Sequence, residues 1–417
     1  MQAIILAAGE SSRFWPLNYR HKSLIKTMGR PLIWYTIKNL GDFGIKDIII
    51  VQDKLKEIER ELNKYSFKST IRYVVQSKPK GMGETLLKAE KFIKDQFFIV
   101  NPYHFEAGRL MREMIGKSKK TGSSLILAGK KTSSFWNYGI LDLNGDRALG
   151  LIEKPRKSKK SSIRVIGIYL LPRDFFGYYK RTSRGQYAFE DALDLYMKEK
   201  NVRTVITKQE TPSLKYPWDL LGLSKLLMNR FLVTKTNKSA RISKRAVIGN
   251  NVYIGKGVKV FEGAVIKDFC YIGDNCIIGN NAIVREHTDL ENNIIVGANA
   301  EITRSIIQEG THVHSGFFGD SIIGENCRVG AGVVVANRRF DRRNISSVVK
   351  DEKIDTGLTF LGTVIGRDTA IGINAGFMPG IFVGSNCIVG PGSLIFGNIP
   401  DKKFVRLGRQ VMKITDL

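Results

Sequence analysis

The stretch at residues 6–33, LAAGESSRFWPLNYRHKSLIKTMGRPLI, decides how the rest of the chain is interpreted. It continues a short apolar run, residues 2–8, that is typical of a buried strand. The run leads into a Gly/Ser turn at residues 9–13, whose exposed backbone N–H groups suit phosphate oxygens. Arg13 and Lys22 add two positive charges close by in the sequence. We therefore predict that this turn binds a triphosphate.

The whole string resembles the signature of the sugar-1-phosphate nucleotidylyltransferases, LAAGxGxRxxPLT followed by PKxL and PLI. Ser11 stands where that family has Gly, and His21 where it has Pro. Without the resemblance, the same turn could be an ordinary strand–helix connection with surface cations. The resemblance implies nucleotide binding by Leu6, Ala7, Ala8 and Gly9 and catalytic roles for Arg13 and Lys22.

Up to about residue 230, apolar strand patterns alternate with helical patterns. This alternation predicts an α/β, Rossmann-like domain at residues 1–233, with a mostly parallel sheet covered by helices. Ligands of such sheets bind beyond the carboxyl ends of the strands. The predicted strands are 48–51, 71–75, 97–100, 125–128, 165–171 and 202–206, and the predicted helices are 32–42, 55–65, 84–94, 190–198 and 218–232.

Further segments fall in the order that the resemblance implies. The segment at 74–90 resembles the family's Q-x-x-P-K-G stretch, and its Gln76 carboxamide could pair with a pyrimidine, with Gly81 and Gly83 beside it. The sugar-phosphate site implied by the resemblance contains Gly139, Glu153, Lys154 and Gly167, although Val165 replaces an expected Asn. A PWDLL segment implies that Asp219 ligates Mg²⁺.

The reaction implied is attack of a sugar-1-phosphate oxygen on the α-phosphorus of UTP or dTTP, which releases pyrophosphate. We expect Arg13 to hold the pyrophosphate and Lys22 to bridge the reacting phosphates. The family's second metal-ligating Asp is missing, because Tyr103 occupies its position. The chain could therefore be a slow enzyme or a nucleotide-sugar-binding protein without turnover.

From residue 240 the pattern changes to an aliphatic residue at every sixth position, often followed by Gly. This hexapeptide repeat predicts a left-handed parallel β-helix at 240–400, followed by a tail at 401–417. The repeat is interrupted at 308–321 and 337–361. All four cysteines, Cys270, Cys276, Cys327 and Cys387, fall at small-residue positions of the hexads and are predicted to be core residues rather than ligands or disulfides.

The stretch from His314 to Asn337 resembles the acyltransferase region of bifunctional sugar-1-phosphate enzymes. The resemblance implies that His314 is a general base for acetyl transfer from acetyl-CoA and that Asn337 lies on the substrate side. Phe317 and Val333 depart from that pattern. The alternative is a β-helix that only trimerises the protein.

The net charge of +27 either favours anionic partners or reflects basic residues spread over solvated faces. The basic runs at 156–160 and 338–343 lack interleaved aromatic residues, so nucleic acid is not an expected partner. No segment has the ~20 apolar residues of a membrane span, and no secretory signal is evident. We expect a cytoplasmic homo-oligomer that acts on an NTP and a sugar-1-phosphate.

Overall fold

The computed structural model describes residues 1–77, 81–133, 138–153, 155, 162–183, 185, 187–406 and 408. The chain divides into two compact units, which are not each continuous in sequence. The first unit contains Met1–Glu10 and Pro31–Thr211, and the second contains Ser11–Arg30 and Pro212–Leu417. The predicted boundary near residue 233 remains a prediction. Among the described residues, no helix is long and apolar enough to cross a membrane.

The first unit is built on a nine-stranded sheet in the order β5-β4-β1-β6-β10-β7-β11-β9-β8. Strands β1, β4, β5 and β6 are parallel, and β7 is parallel to β11, whereas β10 runs antiparallel between β6 and β7. The sheet strands are β1 (Gln2–Ala7), β4 (Asp47–Asp53), β5 (Thr70–Gln76), β6 (Phe97–Val100), β7 (Leu125–Lys131), β8 (Gly139–Asn144), β9 (Arg147–Glu153), β10 (Ile163–Leu171) and β11 (Val202–Thr207); the short strands β2 (Lys26–Thr27) and β3 (Arg30–Pro31) precede β4. The mostly parallel α/β sheet is confirmed.

The described residues of the first unit contain the α-helices α1 (Leu32–Phe43), α2 (Glu57–Leu62), α3 (Met82–Leu87), α4 (Ala107–Thr121), α5 (Phe175–Arg181) and α6 (Ala188–Glu199), and those of the second unit contain α7 (Asp219–Phe231). Short 3₁₀ turns lie at Ser12–Phe14, Lys22–Leu24 and Glu90–Phe92. The predicted helix at 84–94 is wrong in extent, because the α-helix ends at Leu87 and a 3₁₀ turn follows. Helix α4 was not predicted, although its buried Leu110, Met111 and Met114 have helical spacing.

The second unit contains three parallel sheets that wind around one apolar interior, as expected for a hexapeptide β-helix. The first helix sheet comprises β12 (Lys235–Thr236), β15 (Tyr253–Ile254), β18 (Tyr271–Ile272), β21 (Asp289–Leu290), β24 (Ile306–Ile307), β27 (Ile322–Ile323), β32 (Val364–Ile365) and β35 (Phe382–Val383). The second comprises β13 (Arg241–Ile242), β16 (Lys259–Val260), β19 (Ile277–Ile278), β22 (Ile295–Val296), β25 (His312–Val313), β28 (Arg328–Val329), β33 (Ala370–Ile371), β36 (Ile388–Val389) and β38 (Phe404–Val405). The third comprises β14 (Val247–Ile248), β17 (Val265–Ile266), β20 (Ile283–Val284), β23 (Ala300–Thr303), β26 (Gly316–Gly319), β29 (Val333–Val335), β34 (Gly376–Phe377) and β37 (Leu394–Ile395).

The hexads fix the interior of the helix. In the two-residue strands the second residue points inward, and from β15 to β36 these residues are almost fully buried. In the longer strands β23, β26 and β29 the corresponding buried residues are Ile302, Phe318 and Val335. Corner turns repeatedly place Asn in the left-handed conformation, for example Asn275 and Asn293 with φ near +60°. All four cysteines are buried and free, which confirms their predicted core position.

The two interruptions of the repeat differ in kind. Residues 308–321 remain within the helix, because β25 and β26 continue the second and third sheets. Residues 337–361 leave it and form the antiparallel hairpin of β30 (Ser346–Val349) and β31 (Glu352–Asp355). Only the second interruption is an insertion.

Candidate functional site

The carboxyl end of β1 leads into the predicted phosphate turn. This strand lies between β4 and β6 in the first unit. Ala7 and Ala8 are buried, Leu6 is half-buried and Gly9 is exposed. A Cβ atom built on Gly9 would meet no described protein atom within 4 Å. The backbone at Gly9 is therefore sterically open to a ligand.

Gln76, which was predicted to pair with a pyrimidine base, is the last residue of β5. Gln76 is buried, and its Oε1 accepts a hydrogen bond of 2.6 Å from Thr85 Oγ1. Gly81, with φ of +99°, precedes α3. Gly83 packs against Tyr179, because a Cβ there would overlap the Tyr179 ring. Thr85 thus fixes the Gln76 carboxamide, a contact that the sequence did not reveal.

The sugar-side residues of the first unit lie on β8, β9 and β10. Gly139 pairs in register with Glu153, and a Cβ on Gly139 would lie 2.8 Å from Glu153 Oε2. The absence of a side chain at Gly139 therefore gives the Glu153 carboxylate room. Gly167 has φ of +74° within an irregular stretch of β10. Lys154 lies outside the described residues.

Beyond β6, where the resemblance implies a second metal-binding Asp, neutral groups meet. Asn101 Nδ2 donates to the Tyr103 hydroxyl at 3.1 Å, and the Tyr103 and His104 rings are 5.1 Å apart. Burial lowers the pKa of His104 to about 4, so the ring is uncharged at neutral pH. Its Nε2 has no hydrogen-bond partner among the described residues, and it would lie 3.5 Å from a Cβ on Gly167.

Lys22 and Asp219 lie close together in the second unit. Lys22 Nζ donates to the Leu214 carbonyl at 2.7 Å. Burial lowers the pKa of Lys22 to about 8, against the opposing effect of the Asp219 carboxylate; Arg13 lowers it further. Arg13 itself is exposed in the Ser12–Phe14 turn. The structure therefore brings Arg13, Lys22 and Asp219 into one electrostatic cluster.

Both departures from the family signature support the Lys22 turn. The Ser11 hydroxyl accepts a hydrogen bond of 3.1 Å from the Lys22 backbone N–H. His21 Nδ1 accepts from Ser23 N at the start of the 3₁₀ turn. Burial, with the adjacent Lys22 charge, lowers the pKa of His21 to about 3, so this ring is also neutral. Hydrogen bonds made by Ser11 and His21 thus shape the turn in place of the usual Gly and Pro.

Asp219 was predicted to ligate a metal ion, and its surroundings limit how it can do so. Its Oδ2 accepts hydrogen bonds from Lys215 N at 2.6 Å and Tyr216 N at 3.0 Å. Burial raises the pKa of Asp219 despite these bonds. Among the described residues no group of three or more His, Cys, Asp or Glu could hold a metal ion. One carboxylate, that of Asp219, fits a Mg²⁺ ion whose other ligands are mainly substrate phosphate oxygens.

The predicted acetyl-transfer residues lie on the β-helix. His314 is exposed just after β25 and lines an open groove of about 830 Å³ along the second helix sheet. The floor of this groove is apolar, with Ile388 and Phe404 among its residues. His312 and Arg328 supply its other polar side chains.

Asn337 is held away from His314 within one chain. Its Nδ2 donates to Asp320 Oδ2 at 2.6 Å, and Arg304 grips the same carboxylate with two bonds of 2.7 and 2.8 Å. His314 precedes β26, whereas Asn337 follows the adjacent parallel strand β29. At 3.3 Å per residue, these ends are roughly 15–20 Å apart. The Arg304–Asp320 pair was not predicted from the sequence.

Comparisons with known proteins agree with both halves of this description. A nucleotidyl transferase family model matches residues 2–225, and bacterial transferase hexapeptide models match 245–286, 269–304 and 362–397. A Methanococcus maripaludis (strain C5) relative, "Bifunctional protein GlmU", is 33% identical over 97% of each chain. A Sulfurisphaera tokodaii relative, "Bifunctional sugar-1-phosphate nucleotidylyltransferase/acetyltransferase", is 31% identical over 98% of this chain and all of its own.

One solved structure shares the fold of the first half. It is a Bacillus anthracis protein described as a candidate glucose-1-phosphate thymidylyltransferase, with a TM-score of 0.50 and 21% identity. It covers 56% of this chain and 97% of its own.

Proposed function

The chain belongs to the nucleotidyl transferase family, and from that premise we propose that it transfers a nucleotidyl group from an NTP to a sugar-1-phosphate. The observation that carries this proposal is the cluster of Arg13, Lys22 and Asp219, in which two cations of the family signature share one environment. A reaction between two phosphates needs no protein nucleophile, only positioning and neutralised charge.

Lys22 is suited to the reacting phosphates. Its pKa of about 8 leaves it mostly protonated at neutral pH, and bound phosphate would favour the charged form further. It is held by Leu214 and can contribute a fixed positive charge between the attacking and α-phosphates. Exposed Arg13 can hold the departing pyrophosphate bidentately.

The remaining roles follow the family pattern. Leu6 to Gly9 would bind the nucleotide through their backbone N–H groups. Gln76 would hydrogen-bond to a pyrimidine base such as that of UTP or dTTP. Glu153 would accept hydrogen bonds from sugar hydroxyls beside Gly139, with Lys154 and Gly167 in the same sugar-phosphate site. Mg²⁺, held by Asp219 and the triphosphate, would supply charge neutralisation. The neutral end of β6 favours a slow enzyme, since one lost electrostatic group costs ~10²–10³ in rate.

The test is a pyrophosphate-release screen over UTP, dTTP, GTP and CTP with several sugar-1-phosphates, in Mg²⁺ and then in chelator. We expect release with at least one pyrimidine nucleotide and its loss in chelator. Nucleotide binding without release under all conditions would instead support the non-catalytic alternative that Tyr103 raises.

A second function, acetylation of an amino-sugar-1-phosphate by acetyl-CoA, is supported by His314 at the groove along the second helix sheet. We expect thiol release from acetyl-CoA with glucosamine-1-phosphate, abolished in His314→Ala. His287→Ala is the matched control, because His287 is hydrogen-bonded to Asn229 elsewhere on the helix. No thiol release from the unmodified protein would leave the β-helix as a scaffold.

A homotrimer is the assembly we propose. Its support is a set of apolar residues on the outer surfaces of the second and third helix sheets, of which Ile388 and Leu394 are more than half exposed. The distance between His314 and Asn337 in one chain also suits a site completed by a second copy. We place this enzyme in the cytoplasm, where the four buried thiols would stay reduced.

A further inference from the structure

The segment Ser11–Arg30, which carries Arg13 and Lys22, lies along the first helix sheet within the second unit. As this segment runs forward, its partners run backward through the coils of the β-helix. The contacts, in segment order, are Trp15 with Phe382 and Asp401, Tyr19 with Arg367, Arg20 with Glu325, Lys26 with Glu309, Met28 with Asp289, and Gly29 with Glu291. The segment that carries Arg13 and Lys22 therefore packs against the β-helix within the second unit.

Two carboxylates at the far end of this segment are completely buried. Asp289 Oδ2 accepts a hydrogen bond of 2.9 Å from Met28 N, and Glu291 Oε1 accepts one of 2.9 Å from Gly29 N. Both side chains are 0% exposed. Their other oxygens, Oδ1 and Oε2, have no hydrogen-bond partner among the described residues. Burying two acids side by side is costly, and each donor they hold is a backbone amide of the segment.

The backbone N–H groups of Met28 and Gly29 depend on these carboxylates as acceptors. Met28 and Gly29 have φ of 51° and 72°, a left-handed conformation in which their N–H groups face the β-helix carboxylates. A buried amide without an acceptor costs free energy, so the carboxylates and the turn fix each other. Tyr271 closes the remaining space, since a Cβ on Gly29 would lie 2.6 Å from its hydroxyl oxygen.

We propose that Asp289 and Glu291 are positioning residues for nucleotidyl transfer: they hold the Met28–Gly29 turn and so fix the segment that carries Arg13 and Lys22. This inference rests on the proposed function, and it gives the β-helix a part in the chemistry of the other half of the chain. Neither carboxylate needs to touch a substrate to do so.

Burial disfavours the ionised form of both carboxyl groups. Burial raises the pKa of Asp289 well above its usual value, with Glu291 adding to the effect, and burial raises the pKa of Glu291 to about 7. The ionisable groups near the pair include Lys26 of the segment, Glu309 and Glu325 of the following coils, Tyr271 in register with Asp289, and the buried thiols of Cys270 and Cys276. Of these, only Lys26 favours the ionised state of Glu291.

Hydrogen–deuterium exchange tests the anchoring without any need for activity. In Glu291→Ala we expect peptides from residues 11–30 to exchange at least tenfold faster, while Glu291→Gln, which keeps an acceptor oxygen, stays near the unmodified protein. Asp274→Ala is the matched control, because Asp274 Oδ1 accepts the Lys256 amide within the helix. Unchanged exchange at 11–30 in Glu291→Ala would overturn the proposal.

If Glu291→Ala does not fold, Gly29→Ala tests the same contact by changing the segment instead of the β-helix. The added Cβ displaces the turn without changing the helix interior, and its control is Gly122→Ala, where φ is +65° and the space is open. We expect faster exchange at 11–30 in Gly29→Ala alone. Equal exchange in the two glycine variants would contradict the anchoring.

Kinetics then tests positioning. We expect kcat for pyrophosphate release to fall at least tenfold in Glu291→Ala and Gly29→Ala, with recovery in Glu291→Gln and no change in Asp274→Ala. Faster exchange with unaltered kcat and KM would make the carboxylates purely structural and overturn the positioning role. Absence of pyrophosphate release from the unmodified protein would overturn the proposed function instead, and the exchange data would still decide the anchoring.

Discussion

The first and second helix sheets have the same pattern of inward-facing residues, but their outward-facing residues differ in burial. On the first sheet, outward residues such as Ile322, Val364 and Phe382 are fully buried. At the equivalent outward positions of the second sheet, Ile388 and Phe404 are 53% and 62% exposed. The repeat therefore specifies the interior alone, and the first sheet carries the segment that the proposed chemistry needs.

The largest expected effect contrasts these two outer surfaces directly. Ile322→Ala should lower the free energy of unfolding by about 2–5 kcal/mol, because it removes fully buried methyl groups. Ile388→Ala, at the equivalent outward position of the second sheet, should cost the monomer less than about 1 kcal/mol. Urea denaturation followed by circular dichroism measures both, and equal losses would contradict the contrast.

The next effect is on the rate. Lys22→Ala should lower kcat for pyrophosphate release by ~10²–10³, as expected when one group that stabilises developing charge is lost. Lys259→Ala, on the exposed second sheet, is the control and should be neutral. Near-normal turnover in Lys22→Ala would remove Lys22 from the reaction.

A pH dependence is expected from the buried carboxylates of the first sheet. Glu291 has a folded-state pKa near 7, above its usual 4.5, so the folded protein binds more protons between these values. Its contribution to stability is therefore lost as pH rises from about 4.5 through 7. Thermal melts between pH 5 and 8 should show this loss, and Glu291→Gln should reduce the slope, with the raised pKa of Asp289 accounting for what remains. An unchanged slope in Glu291→Gln would assign the effect to other groups.

The smallest effect on folding concerns the exposed second sheet. Ile388→Asp should leave the monomer's unfolding free energy within about 0.5 kcal/mol, since the side chain is largely exposed. It should nevertheless dissociate the proposed trimer, because it buries a charge in an apolar contact between copies. Sedimentation velocity distinguishes this result from an unchanged oligomer.

The sequence revealed periodic patterns and the turns that come directly after strands. The six-residue period predicted the β-helix and its buried cysteines, and the strand–turn pattern predicted the α/β sheet. It could not reveal contacts between residues far apart in the chain, such as Met28 with Asp289 or Arg304 with Asp320. Asp289 occupies an outward hexad position where polar residues are ordinary, so only its burial in the structure marks it as unusual.

The departures at Ser11 and His21 show a related limit. In the sequence they count against the family signature, whereas in the structure their side chains hydrogen-bond around Lys22. Tyr103 differs, because its hydroxyl accepts from Asn101 Nδ2 and the neighbouring His104 ring is neutral, and neither group supplies the negative charge of the missing Asp. A substitution within a motif is thus compensated only where neighbouring atoms can supply the lost interaction.

The backward course of the Ser11–Arg30 segment has a consequence for biosynthesis. Its first partners, Phe382 and Asp401, follow Trp15 at a great distance along the chain, so during synthesis residues 11–30 cannot reach their final place until those partners have been made. A chain cut after residue 233 would retain every residue of the nucleotide signature while lacking the surface on which residues 11–30 rest.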